Sequence, residues 1–204
     1  IPNSVFNGNF PMRGDAHFVV PSDKYVNNQR GSLPFGVVQN TNYISSNGSK
    51  RGNNLNSGYS AGYTGVVFEP IDEFKGDIAR MYYYFATRYE DGIASYNSYD
   101  MFNGSSDQVL QDTFLNILIN WHLNDPVSQK EIDRNNQIYL FQGNRNPFID
   151  HPEYVEEIWS STNDTESPSS PTNIQIFDIT DNSFQLSWDS STDNVSLDSY
   201  NIYI

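Results

Sequence analysis

Apolar residues recur at helical spacing in four stretches of the chain. Between Asp72 and Tyr89, residues Phe74, Ile78, Met81, Tyr82, Phe85 and Tyr89 share one face of a predicted helix. A second helix is predicted over Asp107–His122, with Val109, Leu110, Phe114, Ile117, Leu118 and Trp121 inward. A third begins after Pro126, where Ser128 and Glu131 have capping-box spacing, and stops near Gly143, a suitable left-handed terminator. A short fourth follows Pro152, with Tyr154, Val155, Ile158 and Trp159 apolar. Residues 1–70 instead carry Asn, Gly, Ser and Tyr, with turn pairs at Asn7-Gly8, Asn47-Gly48 and Ser57-Gly58. Short strands and long loops are expected there, with one helix within Asp15–Arg30. Residues 161–171 form a polar linker, and strand-like alternation follows at Ile174/Ile176, Phe184/Leu186/Trp188 and Tyr200/Ile202/Ile204. No internal repeat is visible.

Composition then narrows the classes. At 204 residues the chain has room for one good core and a second small one. Cysteine is absent, which removes disulfides and thiolate chemistry. No run of roughly 18 apolar residues occurs, so no membrane-spanning helix is expected. The net charge of −14 is unevenly divided. Residues 1–145 hold all 11 Lys and Arg against 14 acids, a net −3, while 146–204 hold 11 acids and no Lys or Arg. A region at −3 provides no broad field for a polyanion, so any phosphate contact must be local.

Arginine supplies the bidentate fork that phosphate geometry favours. Arg30 and Arg13, with Lys24 in the same stretch, are the candidates for phosphate contact; Lys50-Arg51, in a Gly/Asn-rich loop, is another of the same kind. Asp77 and Arg80 sit three apart on one helix and are expected to pair. His122 is placed near a helix end in a capping or packing role, and His151 in a turn. The three histidines never fall at a metal-site spacing. Glu69 is expected to favour the start of the helix after it, and Arg145 to hold backbone carbonyls in its tight loop. The pairs Glu69/Asp72/Glu73 and Glu90/Asp91 could suit a glycosidase, but carboxylate separation cannot be read from sequence. No nucleophile elbow, P-loop or dinucleotide fingerprint is present.

Three ordered blocks add a resemblance. They are Arg13-Gly-Asp-Ala-His-Phe-Val-Val-Pro-Ser-Asp23, continuing to Val26-Asn27 and Pro34-Phe35-Gly36; Phe68-Glu-Pro-Ile-Asp-Glu-Phe-Lys-Gly-Asp-Ile-Ala-Arg80; and residues 134–153, with Asn144-Arg145-Asn146 between Gly143 and Pro147. Together they resemble the bacterial endonuclease I family, secreted nucleases of the His-Me finger (ββα-metal) class. The resemblance implies an α+β fold with a helix-rich C-terminal half over residues 1–160. It implies one Mg²⁺ and a nucleic-acid substrate, DNA with RNA open as a second. It places the water-activating Glu-His pair upstream of Ile1, so no catalytic residue is assigned here and the chain, read as an inactive N-terminally truncated fragment, lacks its general base. The family's second metal ligand falls at Phe18, which cannot ligate. Asp15 or His17 would have to replace it; the alternative is that Asp15 caps a helix and His17 is satisfied in the core. Arg80, Asn144, Arg145 and Asn146 are then scaffold near the site. Residues 172–204 resemble the first strands of a fibronectin type III domain, too short to close a sandwich of about seven strands.

The expectation is therefore a secreted, monomeric, metal-dependent endonuclease without sequence preference. The alternative is a binding scaffold of the same fold that has lost catalysis.

Overall fold

The computed structural model describes residues 1–160, 168–192 and 200. It divides into two units, Ile1–Ser160 and Ser161–Ile204.

The first unit is a mixed helix and sheet structure. Its sheet has strand order β1-β2-β3, with β1 at Val38–Ile44, β2 at Lys50–Asn54 and β3 at Val66–Glu69, all antiparallel. Lys50 and Arg51 thus lie in a strand and not in the loop expected of them. Glycine is required at position 52, because a Cβ there would overlap the Asn40 carbonyl across the irregular β1–β2 pairing. Buried Asn54 ties down the loop beyond β2: its side-chain nitrogen donates to the carbonyls of Ser60 (2.9 Å) and Tyr63 (3.1 Å).

The helices are α1 (Lys24–Arg30), α2 (Lys75–Arg88), α3 (Glu90–Ile93), α4 (Asp112–Asn124), α5 (Gln129–Gln142) and α6 (Pro147–Asp150). A π-helical turn covers Glu156–Ser160. The helix expected within Asp15–Arg30 is α1. Pro21 interrupts the earlier turn, and Asp23 starts the helix by accepting from the Tyr25 and Val26 amides at 2.9 Å. The second predicted helix begins at Asp112 instead of Asp107, because Val109 adopts a left-handed conformation (φ 66°) that an α-helix cannot include. Its inward face is as predicted, with all six named residues buried. The third has the capping box at Ser128 and Glu131, and Gly143 ends it at φ 73°.

Helix α2 is the centre of the core. The spacing predicted one apolar face, but Tyr82, Tyr83, Tyr84, Phe85 and Ala86 are consecutively buried. Neighbours surround it: Phe6 and Phe18 reach Phe85, Trp159 stacks on Tyr83, and Phe102 stacks on Phe85. Phe74, by contrast, is exposed.

Arg80 on α2 has no exposure. Its Nε and Nη2 donate to the two carboxylate oxygens of Glu131 (2.6 and 2.8 Å), and Nη1 donates to the Asp125 carbonyl (2.9 Å) and reaches His122 Nδ1 (3.3 Å). The expected Asp77 pairing exists at 3.7 Å but is secondary to Glu131. Since Arg80 donates to Nδ1, His122 is neutral, with Nε2–H donating to the Pro152 carbonyl (3.1 Å). Burial, then the Arg80 charge, lowers its pKa. It packs a joint and does not offer a charge to the helix dipole.

In the second unit β4 (Thr172–Phe177) pairs antiparallel with β5 (Gln185–Asp189). Ile174, Ile176 and Phe184 are exposed, Leu186 and Trp188 are half-buried, and the Trp188 and Tyr200 rings lie 5.2 Å apart. The third expected strand, beyond Tyr200, lies outside the described residues.

Removing one partner of a buried ion pair leaves the other uncompensated. Arg80→Met is expected to lower unfolding free energy by roughly 3–5 kcal/mol, and Arg80→Met/Glu131→Met to recover much of that loss, measured by urea denaturation. Amide exchange in β4 and β5 is expected to be faster than in α2 and α4, since the two-stranded ladder has little apolar cover.

Candidate nucleic-acid interface

Helix α1 ends at Arg30, and Gly31 turns the chain out of the helix at φ 53°. The turn aims the guanidinium back over the core edge, where Nη2 donates to the Tyr99 hydroxyl (3.2 Å) and approaches that of Tyr82 (3.4 Å). Nη1 donates to the Gly31 carbonyl (3.2 Å), the group lies 4.7 Å over the Phe35 ring, and Nε has no partner. Arg51, on β2, donates from Nε to Asn42 (3.0 Å) and from Nη1 to Gln29 (2.9 Å). Both arginines line an open cleft of about 600 Å³, together with Pro2, Val5, Gly31 and Tyr99. Among the described residues neither has a carboxylate partner, so both positive charges are uncompensated. One acid, Asp100, also lines the cleft, with its carboxylate accepting from the Tyr63 hydroxyl (2.6 Å).

Arg13 and Lys24 are exposed and do not line this cleft. The structure therefore brings together Arg30 from the phosphate candidates and Arg51 from the supposed loop, and leaves Arg13 and Lys24 apart.

Asp15 and His17 lie elsewhere, both buried. Asp15 Oδ2 accepts from the hydroxyls of Tyr84 (2.7 Å) and Tyr89 (2.6 Å); Oδ1 accepts from the His17 amide (2.9 Å) and Gln142 Nε2 (3.1 Å). Burial pushes its carboxyl up, but these four hydrogen bonds prevail and hold its pKa below the usual value. His17 Nε2 donates to the Asn144 carbonyl (3.1 Å), and its ring lies 4.7 Å from that of Tyr84. Burial, the main cause, lowers its pKa, against the Asn144 carbonyl and Asp15. Helix α5 holds the same segment: Arg134 donates to the Ala16 carbonyl and Gln142 accepts from the Ala16 amide (2.7 Å). Phe18 is buried, with edge-to-face contacts to Phe85 and Tyr89. Among the described residues no group of three or more His, Cys, Asp or Glu could hold a metal ion. The donor atoms of Asp15 are committed to protein partners, which suits holding the Asn144 loop against α2 better than ligating a cation.

The loop residues are scaffold. Asn146 donates to the Arg80 carbonyl (3.1 Å) and accepts from the Phe148 amide (3.0 Å), while Asn144 donates to the Tyr84 hydroxyl (2.7 Å). Arg145 grips the Asp150 carboxylate in a fork, both contacts 2.6 Å, instead of the carbonyls expected of it. Glu69 links sheet to helix, accepting from Lys75 Nζ (2.8 Å) and the Val38 amide (2.9 Å). His151 is exposed beside Glu153.

The sequence model of the Endonuclease I family matches residues 1–153. The chain belongs to that family. Among curated proteins, this Endonuclease I chain is 41% identical over 149 residues to a protein of Bacillus amyloliquefaciens named "Extracellular ribonuclease", covering 71% of the chain and 46% of the relative. A protein of the same name from Bacillus subtilis (strain 168) is 39% identical over the same length and shares. The chain thus spans about half the length of these relatives. No solved structure matches it.

Asp77, beside Glu131, has its pKa raised to about 7 by burial and then by that neighbouring carboxylate. A folded-state pKa above the unfolded 3.8 means a stabilising contribution that is complete at low pH and is lost as pH rises through about 7. Asp77→Asn, permanently neutral, is expected to gain on the parent protein by at least about 1 kcal/mol between acid and mildly alkaline pH, read from urea denaturation at each pH.

Proposed function

We propose that this chain is the phosphate-gripping portion of a secreted nuclease that hydrolyses phosphodiester bonds in RNA and DNA. The observation that carries the reading is the pair Arg30 and Arg51, both facing one open cleft with neutral partners only. A phosphodiester there would neutralise the charge of two guanidinium groups that have no carboxylate partner among the described residues. In the transition state the same fixed cations oppose the charge growing on the phosphate oxygens. The family resemblance assigns water activation to a Glu-His pair preceding Pro2 and Val5, which line this cleft. The secreted location rests on the two Bacillus relatives, each named an extracellular ribonuclease.

The resemblance also implies Mg²⁺, and the described residues do not offer it a donor set. Residues 172–204 are proposed as the opening strands of a fibronectin-like module, a spacer beside the nuclease unit.

A second reading, a scaffold that binds without cutting, is favoured by Phe18, packed into the core at the family's ligand position. Plasmid and RNA cleavage by the full-length protein, with Mg²⁺ and with EDTA, separates the two. Under the nuclease reading cleavage occurs and EDTA abolishes it; binding without cleavage in either condition overturns it. Arg30→Gln is expected to lower kcat/KM by about ten- to a thousandfold with secondary structure unchanged.

A further inference from the structure

We propose that Tyr25 and Tyr43, next to Arg51, form a stacking platform for an unpaired base, so that the cleft takes single-stranded nucleic acid in preference to duplex. The proposal rests on the cleft being a phosphate site and names its substrate class.

Tyr25 stands in the first turn of α1 and is 62% exposed; Tyr43 stands in β1. Their rings meet edge-on, centroids 6.1 Å apart and planes at 62°. Among the described residues neither hydroxyl has a hydrogen-bond partner. Tyr43 is paired with Arg51 across the β1–β2 ladder, and the Arg51 guanidinium lies 5.9 Å from the Tyr43 ring. That guanidinium also lines the cleft and reaches Gln29 of α1 at 2.9 Å. Arg51 therefore joins the two surfaces, with phosphate-sized open space on one side and aromatic faces on the other.

The charge distribution fits a base at the aromatic end. Asp23, close enough to raise the Tyr43 pKa after desolvation and Tyr25, puts a negative charge there, which disfavours a phosphate and leaves a neutral base unopposed. Stacking on an aromatic ring needs an open base face, which a single strand has and a base pair inside a duplex lacks. The 2′-hydroxyl plays no part in such a contact, so single-stranded RNA and DNA should share the preference.

Binding of a fluorescent single-stranded oligoribonucleotide, an oligodeoxyribonucleotide and a duplex of the same sequence, measured by anisotropy, tests this without depending on turnover. Tyr25→Ala and Tyr43→Leu are expected to weaken single-strand binding roughly 5- to 150-fold each, leave duplex binding within twofold, and keep parental melting curves; Tyr25→Phe restores affinity. Equal losses on single strand and duplex overturn the platform. So does unchanged single-strand binding in both tyrosine variants while Arg30→Gln and Arg51→Gln weaken it, an outcome that leaves the phosphate cleft standing. Full affinity in the arginine variants overturns the cleft and the platform together.

Discussion

The Arg80 guanidinium is enclosed by protein on every side, and the unit is arranged around satisfying it. Glu131 from α5 takes two of its nitrogens, the Asp125 carbonyl takes another, and His122 is forced neutral beside it. Those partners come from the end of α4, the loop after it and the first turn of α5, so one cation fixes α4 and α5 against α2. A dry site for a charge is costly unless every donor is met, and here Nε, Nη1 and Nη2 each have an acceptor. The second face of α2 then presents Tyr84 to Asp15 and Asn144, which seats the N-terminal segment.

The two buried polar clusters have separated duties. The Arg80 joint and the Asp15–His17 bracket spend their charges internally and build the frame. The cleft arginines, held by tyrosine hydroxyls, an asparagine and a glutamine, have no carboxylate partner among the described residues. That division, with 11 of the 25 acids lying beyond residue 145, lets a chain of net charge −14 present a locally cationic site even though Asp100 lines it.

Much of the helical half was legible. The capping box at Ser128, the stop at Gly143 and the inward face of α4 each follow from a local rule, with residues a few positions apart. What was not legible depended on distance or on backbone exceptions. A strained Val109 shortens α4 from the front, so periodicity overstated that helix. Arg51 read as loop because Gly52 and three nearby asparagines suppress the strand signal, although Gly52 is there to let two strands approach. Asp15 and His17 were singled out by type as candidate ligands, and the tyrosines that donate to Asp15 sit 69 and 74 positions away, beyond any spacing argument.

Helix α1 contributes no fully buried side chain. Its attachment is an aspartate at its head, the Gln29–Arg51 contact and the Arg30 foothold on two hydroxyls. Local opening free energies follow buried apolar contact, so this helix is the segment that can swing outward at least thermodynamic expense while α2 and α4 stay closed. Anything clamped between Arg30 and the sheet would then tighten the helix as it docked, and the occupied protein should resist proteolytic nicking at Gly31–Ser32 more than the empty one.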